Sequence, residues 1–285
     1  MATSPPFDAL GFRFDVTIHD PRLGTYIEAL LAALRSSDDA EHHYVLSRSH
    51  DGNDQPFELS LDGTRVTATP EAERLVGTLV HDLNRRALEG CAHLALHAGG
   101  VEHGGVGVVL PAVSEAGKTT LVAGLVRAGF GYLTDEAVAI DRDTLEIHPY
   151  PKPLSIDTGA WPLFPELEPH ADFATDAYKA DQWQVPPDAI RPGALGGPCR
   201  VDLVVFPRHE PDAPTTLEPM GRAEALVELA KNTFTFDAQG ATALDLLAEV
   251  VRGAECSRLV TGDLDGAVEL VSSLVVVGAP PARVS

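Results

Sequence analysis

The chain has 285 residues, 44% of them apolar and 22% charged, a composition typical of a soluble globular protein with one large domain or two unequal ones. Its 42 acidic and 21 basic residues give a formal charge of −21, which repels nucleic-acid phosphates and either attracts a basic peptide or simply keeps the protein in solution. The sequence has no apolar run long enough to span a membrane and no secretory signal at its start, so we expect a cytoplasmic protein that binds neither nucleic acid nor membrane.

The first ninety residues predict a small α+β unit. Alternating apolar residues predict strands at 12–18, 42–48, 56–63 and 64–70, whereas apolar residues at helical spacing predict helices at 25–35 and 71–90. Asp62-Gly63 between the last two strands is a hairpin signal. No group of catalytic residues stands out in this part of the sequence, so we predict that residues 1–90 form an N-terminal domain without the active site.

Residues 91–140 predict a different arrangement. Two apolar strands flank Gly104-Gly105, and a loop, a helix at 119–129 and a strand at 132–140 follow. This order presents the amino-terminal end of a helix to an anion.

The rest of the chain begins with a proline-rich connection at 148–156 and an irregular stretch at 157–198 whose length suggests a lid or substrate loop. Further elements are predicted as strands at 200–208 and 257–264 and helices at 221–234 and 241–254, and the strand at 257–264 leads into residues 265–278. We predict a second domain at 91–278 and a tail at 279–285.

The segment PAVSEAGKTT at 111–120 contains most of a phosphate-binding loop. Such a loop reads G-x-x-x-x-G-K-[ST], in which backbone N–H groups surround phosphates, the lysine reaches the outer phosphates and the hydroxyl holds Mg²⁺. Gly117, Lys118 and Thr119 match the end of the pattern between a strand and a helix, whereas Ala112 stands at the first glycine.

Two further features of the sequence support a site at this loop. Asp135 and Glu136 come at the end of the next predicted strand, where a carboxylate can hold Mg²⁺ or accept the proton of an attacking hydroxyl. His97 lies in an apolar strand that we expect to run beside the loop; a histidine packed in the core is the alternative interpretation.

Residues 93–140 resemble the catalytic core of the HPr serine kinases and their shorter relatives, such as the precursor-peptide serine kinases of lasso-peptide gene clusters. His97, Ser114, Gly129 and Asp135 fall on positions of the family pattern, and the resemblance is looser over 141–275. It implies an α/β fold, a P-loop kinase core of the HPr kinase and phosphoenolpyruvate carboxykinase type with a small N-terminal α+β domain. Homo-oligomerisation is compatible with it.

The resemblance also implies ATP and Mg²⁺ as cofactors. Lys118 would pair with the β- and γ-phosphates, Thr119 and Glu136 would ligate Mg²⁺, and Asp135 would act as general base on a serine hydroxyl, with His97 beside it. The residues expected around the nucleotide are Ser114, Ala116, Gly117, Lys118, Thr119 and Thr120.

Three positions depart from the family pattern. Ala112 and Glu115 replace loop glycines, and Glu136 replaces the second aspartate of a pair. If position 115 needs a positive φ, glutamate costs about 1 kcal/mol of strain, and its carboxylate would lie near the triphosphate. The arginine-containing segment of full-length HPr kinases has no counterpart, so Lys152 is the candidate for an electrophilic role; an ordinary loop lysine is the alternative.

Other polar residues are weaker candidates. His93 and His103 are interpreted as surface or hairpin residues, and Arg208 as a residue that could reach the site. His42 and His43 lack the companion ligands that a metal site needs.

Three functions remain open from the sequence. The first is an ATP-dependent kinase acting on a serine-type hydroxyl of a peptide or small protein. The second is a catalytically impaired nucleotide- or peptide-binding relative with a decayed loop. The third is a small-molecule kinase, because a fold alone does not fix the phosphate acceptor.

Overall fold

The structure is a computed structural model, and it describes residues 2–48, 57–70, 74–112, 117–168, 182–234 and 236–278. It is a mixed α/β protein with several sheets. The chain divides into two compact units, the first made of Met1–Ala92 with Lys152–Ala189 and the second of His93–Pro151 with Ile190–Ser285.

This division places 152–189 with the first unit. The predicted domains, 1–90 and 91–278, were drawn as continuous segments, and they remain a prediction. The predicted tail, 279–285, lies outside the described residues.

The secondary structure follows the chain from β1 to β16 and from α1 to α7. The strands are β1 (Ala2–Thr3), β2 (Phe7–Ala9), β3 (Phe12–Ile18), β4 (His42–Arg48), β5 (Phe57–Leu61), β6 (Thr64–Thr69), β7 (Leu94–His103), β8 (Val106–Pro111), β9 (Gly131–Thr134), β10 (Ala137–Ile140), β11 (Glu146–His148), β12 (Leu154–Asp157), β13 (Gln182–Val185), β14 (Cys199–His209), β15 (Thr216–Pro219) and β16 (Glu255–Thr261). The helices are α1 (Pro21–Leu30), α2 (Arg74–Gly90), α3 (Lys118–Arg127), α4 (Pro187–Ile190), α5 (Arg222–Lys231), α6 (Phe236–Gly253) and α7 (Leu264–Gly278).

The first unit is built on a sheet with strand order β1-β3-β4-β5-β6, and β2 pairs with β3. β3 and β4 are parallel, whereas β4, β5 and β6 are antiparallel neighbours. The β5–β6 hairpin turns at Asp62 and Gly63, whose φ angles of 49° and 77° are those of the tight turn that suits the twist of two strands. Leu75, Leu79 and Leu83 recur every fourth residue along α2 and are buried. β12 and β13 form a separate two-stranded sheet.

The second unit is built on a sheet with strand order β11-β10-β7-β8-β14-β16-β15, and β9 also pairs with β7. β11 pairs with β14 as well as with β10. A closed ring of paired strands therefore runs through β11, β10, β7, β8 and β14. β8, β14 and β16 are parallel neighbours, which brings their carboxyl ends to one edge. Helix α3 packs against β7 at Gly99, where a Cβ would lie 2.5 Å from Cγ2 of Val122.

Most of the long predicted elements are confirmed, and the errors have local causes. The predicted strands 12–18 and 42–48 are β3 and β4. The predicted helix 25–35 is wrong in its bounds, because α1 begins at Pro21 and ends at Leu30, and a 3₁₀ turn at Ala32–Leu34 follows. Pro21 is suited to the first turn of a helix, and Oδ1 of Asp20 accepts a hydrogen bond from the N–H of Leu23 at 3.4 Å.

The predicted connection and irregular stretch also contain regular structure. The connection at 148–156 includes the last residue of β11 and the start of β12, and the stretch at 157–198 includes β13 and α4. Strands of four residues or fewer carry too little alternation to be recognised in a sequence. Among the helices that the structure describes, none combines the length and the apolar content needed to cross a membrane.

Candidate active site

The amino-terminal end of α3 is the first part of the candidate site. Gly117 caps this helix with a φ of 82°, a left-handed conformation that glycine adopts without strain. The first N–H groups of a helix have no intrahelical partner and point toward its positive end, which suits an anion. Lys118 begins the helix and is 7% exposed. Thr119 and Thr120 follow in the same turn and are partly buried.

The loop that precedes Gly117 is described only in part. Ala112 ends the description on the β8 side and is 6% exposed. Residues 113–116 lie outside the described residues, so the predicted roles of Ser114 and Ala116, and the orientation of Glu115, remain predictions.

Asp135 and Glu136 form the two-residue connection between β9 and β10. The sequence predicted one strand over 132–140, and this prediction is wrong because Oγ1 of Thr134 accepts the N–H groups of both Glu136 and Ala137 at 3.2 Å. β7 pairs with the strands on both sides of the break. The carbonyl of Glu136 also accepts a hydrogen bond from the N–H of Ala98 at 3.2 Å, so a backbone hydrogen bond holds this connection against β7.

Asp135 is buried, with 2% of its surface exposed. Its Oδ1 accepts a hydrogen bond from the Tyr132 hydroxyl at 3.0 Å, and its Oδ2 accepts one from the Thr119 hydroxyl at 3.3 Å. Buried carboxylates require such partners. The second hydrogen bond joins the acidic residue to the first turn of α3, so the structure brings together the two halves of the predicted site.

His97 lies on β7 opposite Ala137, and its side chain is 22% exposed. Its Nε2 is 4.0 Å from Oε1 of Glu136, and its ring centroid is 5.4 Å from that of Phe234. Burial lowers the pKa of His97, and the positive charge of Lys118 lowers it further, while Glu136 and Asp135 oppose the change. His97 is therefore a neutral imidazole at pH 7.

Two other predicted residues, Lys152 and Arg208, differ in their exposure. Lys152 belongs to the first unit, where it is 2% exposed and its Nζ donates a hydrogen bond to the Pro153 carbonyl at 2.9 Å. Its predicted role remains a prediction. Arg208 has a side chain that is 73% exposed and an Nε 3.0 Å from Oε1 of Glu210, so it is paired at the surface.

The sequence analysis missed two residues at the site. Tyr132 is fully buried on β9, and both burial and the nearby Asp135 carboxylate raise its pKa well above the usual value, so its hydroxyl remains a donor. His209 is the last residue of β14 and lies close to Gly117, since a Cβ added to Gly117 would be 3.6 Å from the Cβ of His209. Nδ1 of His209 is 2.9 Å from the Thr261 carbonyl. Its position at the end of a largely buried strand, one residue beyond Arg208, is a signal that could have found it.

The described residues are chemically suited to a nucleotide and Mg²⁺. The helix end, Gly117 and Lys118 offer N–H groups and a cation to phosphates. Thr119, Asp135 and Glu136 offer hydroxyl and carboxylate oxygens, the ligands that Mg²⁺ takes in proteins.

No protein-family model matches the chain, and no curated protein matches it in sequence. Among solved structures, the HPr(Ser) kinase/phosphatase from Coxiella burnetii matches with a TM-score of 0.30 and 12% identity, covering 65% of this chain and 99% of that chain. At that TM-score the likeness assigns neither a family nor an activity, so the function has to be inferred from the residues of the site.

Proposed function

We propose that the protein is an ATP-dependent kinase that phosphorylates a serine-type hydroxyl on a peptide or small protein. The observation that supports this most is the hydrogen bond between Thr119 and Asp135, because it joins a buried carboxylate to the first turn of a helix that begins with Gly117-Lys118. P-loop enzymes bind phosphates at the amino-terminal end of a helix and position the nucleophile with a nearby side chain, and we assign these two roles to these residues.

The phosphates of ATP would lie at the amino-terminal end of α3. There the N–H groups of the first turn and the ammonium of Lys118 would stabilise negative charge, together with Ser114 and Ala116 of the loop. Thr119 and Glu136 would hold Mg²⁺, which when bound neutralises part of the phosphate charge. Lys152 would add a further positive charge, a role that rests on the sequence alone.

Asp135 would act as the general base. Its Oδ2 becomes available to the acceptor when the Thr119 hydroxyl turns away from it, while the Tyr132 hydroxyl continues to hold Oδ1. As the acceptor oxygen attacks the γ-phosphorus, its proton passes to Oδ2, the bond from the γ-phosphorus to the bridging oxygen breaks, and ADP leaves. His97 is neutral beside Glu136, where it can hold the acceptor or the carboxylate by a hydrogen bond.

The acceptor would be a peptide or small protein with basic residues, because the formal charge of −21 attracts such a partner. The alternative is a nucleotide- or peptide-binding protein without phosphoryl transfer. Glu115 favours this alternative, because its carboxylate would repel a triphosphate if it faced the loop. A small-molecule acceptor is the third case.

The decisive experiment measures ATP–Mg²⁺ binding by calorimetry and phosphoryl transfer from ATP to basic peptides that each carry one serine. Lys118→Ala is expected to lower kcat/KM by about a hundredfold to a thousandfold, as removal of one preorganised charge at a transition state does. Lys231→Ala is the matched control, since Lys231 is 61% exposed on α5 and pairs with Glu228, so its loss should leave activity unchanged.

Each outcome separates the candidates. No binding at about 1 mM nucleotide, or full activity in Lys118→Ala, overturns the kinase proposal. Binding without transfer to peptides or small alcohols supports the binding protein. Transfer to small alcohols but not to peptides supports the small-molecule kinase and overturns the proposed acceptor class.

A further inference from the structure

A second group of polar side chains lies at the opposite end of β10 from Asp135, beside the start of β7. His93 directly precedes β7, Asp141 directly follows β10, and His148 ends β11. The register joins these positions, because Ala139 pairs with His148 on one side and with Ala95 on the other. One ligand atom from each of the three side chains lies within 4.8 Å of the other two.

The carboxylate of Asp141 is oriented by the hairpin that follows it. Its Oδ1 accepts the N–H groups of Asp143 and Thr144 at 2.9 Å and the Thr144 hydroxyl at 3.0 Å. Its Oδ2 faces the histidines, 3.6 Å from Nδ1 of His93 and 3.9 Å from Nε2 of His148. Hydrogen bonds that hold one carboxylate oxygen while the other faces two imidazoles are typical support for a metal ligand.

The spacing suits a tetrahedral ion. Ligand atoms at about 2.0 to 2.2 Å from a tetrahedral Zn²⁺ are about 3.4 Å apart, so the two distances from Asp141 to the histidines need to close by about 0.5 Å or less. The two histidine rings are stacked with centroids 4.1 Å apart, so at least one ring must rotate for both nitrogens to face one ion. Side-chain exposures of 24%, 26% and 45% leave the group open to solvent and a fourth position open to water.

We propose that His93, Asp141 and His148 bind a divalent transition-metal ion, with Zn²⁺ the best match to two imidazoles and one carboxylate. This site is separate from the proposed Mg²⁺ site. Asp141 is four residue steps from Ala137 and His93 is four residue steps from His97, which corresponds to about 13 Å at about 3.3 Å per residue. The bound ion joins the start of β7 to the β10–β11 hairpin and stabilises the second unit. The proposal does not depend on the proposed kinase activity.

The test uses the full chain after treatment with a chelator, titrated with Zn²⁺ alone and followed by calorimetry and by the thermal midpoint. We expect one equivalent to bind with a micromolar or lower Kd and to raise the midpoint. His93→Gln/His148→Gln should weaken binding by at least about a hundredfold, and Asp141→Asn by at least about tenfold. Asn at this position can still accept the hairpin hydrogen bonds through its amide oxygen, so a correctly folded variant remains available.

Asp143→Asn and His42→Gln/His43→Gln are the matched controls, and both should bind Zn²⁺ as the unchanged protein does. Co²⁺ in place of Zn²⁺ should give the intense visible bands of a tetrahedral ion in the unchanged protein and lose them in Asp141→Asn. The proposal is overturned if Zn²⁺ does not bind below about 1 mM, or if the variants at His93, His148 and Asp141 bind it as tightly as the controls.

Discussion

Each unit of the protein contains a buried aspartate that accepts a hydrogen bond from a buried tyrosine. In the first unit Asp82 on α2 is 4% exposed and accepts the Tyr44 hydroxyl at 2.7 Å. In the second unit Asp135 is 2% exposed and accepts the Tyr132 hydroxyl at 3.0 Å. Burial and the tyrosine partner are therefore shared, and they do not distinguish a structural carboxylate from one suited to chemistry.

The remaining partners make the distinction. Asp82 also accepts hydrogen bonds from Arg85 and Arg86, both at 2.7 Å. Burial alone would raise the pKa of Asp82, but the hydrogen bonds from Arg86, Tyr44 and Arg85 outweigh it and hold the pKa below the usual value. A carboxylate that two guanidinium groups hold ionised is a poor proton acceptor but a strong structural tie.

One partner of Asp135 is the Thr119 hydroxyl, whereas Asp82 is held by two guanidinium groups. The Thr119 hydroxyl can rotate away from the carboxylate, and it belongs to the first turn of α3. We therefore expect a movable partner next to the amino-terminal end of a helix, rather than burial, to distinguish a carboxylate that takes a proton.

The largest expected effect is that of Asp135→Asn. Asparagine keeps the shape and can still accept the Tyr132 hydrogen bond, but it cannot take the proton, so kcat should fall by about a hundredfold to ten-thousandfold. ATP–Mg²⁺ binding measured by calorimetry should persist, because the helix end and Lys118 are unchanged. Asp82→Asn is the control, with kcat close to that of the unchanged protein. Equal loss of kcat in both variants would contradict the distinction between the two aspartates.

The next effect concerns stability. Asp82→Asn should lower the free energy of unfolding by about 3 kcal/mol, the lower end of the cost of breaking a buried ion pair, because Arg85 and Arg86 are partly exposed and can turn to water. Urea unfolding followed by circular dichroism measures it. The pKa of Asp82 is lower in the folded than in the unfolded chain, so its stabilisation is present above about pH 4 and is lost at lower pH. The variant should lack this acid-dependent part, and a variant as acid-sensitive as the unchanged protein would contradict the assignment.

The long periodic segments of the fold could be predicted from the sequence, because their apolar spacing is local. The hairpins at Asp62-Gly63 and Gly104-Gly105 could also be predicted, since all four residues have a positive φ. The break between β9 and β10 could not. It depends on the hydroxyl oxygen of Thr134, which accepts backbone hydrogen bonds from Glu136 and Ala137. The strands on both sides of the break pair with β7, and neither pairing is visible in the local pattern.

The candidate site also combines residues that could be predicted from the sequence with residues that could not. Gly117, Lys118 and Asp135 were found because they belong to a motif with fixed spacing. Tyr132 and His209 were missed because their contacts depend on the order of strands in the sheet.

The buried network at Asp82 was missed for a related reason. Its tyrosine partner lies 38 residues away in the chain, and an aspartate within an amphipathic helix is usually part of the exposed face. His93 was interpreted as a surface or hairpin residue, because only the pairing of β10 with β7 and β11 brings it near Asp141 and His148.

A pair of smaller changes sharpens the comparison at the tyrosines. Tyr44→Phe and Tyr132→Phe each remove a buried hydroxyl that donates to a carboxylate, so each should lower the free energy of unfolding by about 1.5 to 3 kcal/mol. Only Tyr132→Phe should alter catalysis. The acid limb of its pH–kcat profile is expected to move to higher pH, since a carboxylate that has lost a donor is protonated more easily. If the profile of Tyr132→Phe matched that of Tyr44→Phe, Tyr132 would have no role in positioning the base.

The smallest expected effects are those of two histidines whose pKa values move in opposite directions. A hydrogen bond and the charge of Asp15 raise the pKa of His43 in the first unit, so its contribution to stability is present below about pH 6.5 and is lost as the pH rises through the folded-state value. Burial and Lys118 lower the pKa of His97, so between its folded-state value and about 6.5 the unfolded chain binds a proton that the folded chain does not, and stability rises with pH in that window. Urea unfolding from about pH 5 to 8 should therefore show that His43→Gln removes a stabilisation present at the acid end, whereas His97→Gln removes a loss that occurs there. The change at His43 is expected to stay below about 1 kcal/mol, because the side chain is 60% exposed and solvent screens the pair. If both variants changed the pH dependence of the free energy of unfolding with the same sign, a paired charge rather than burial would set the pKa of His97, as it does for His43.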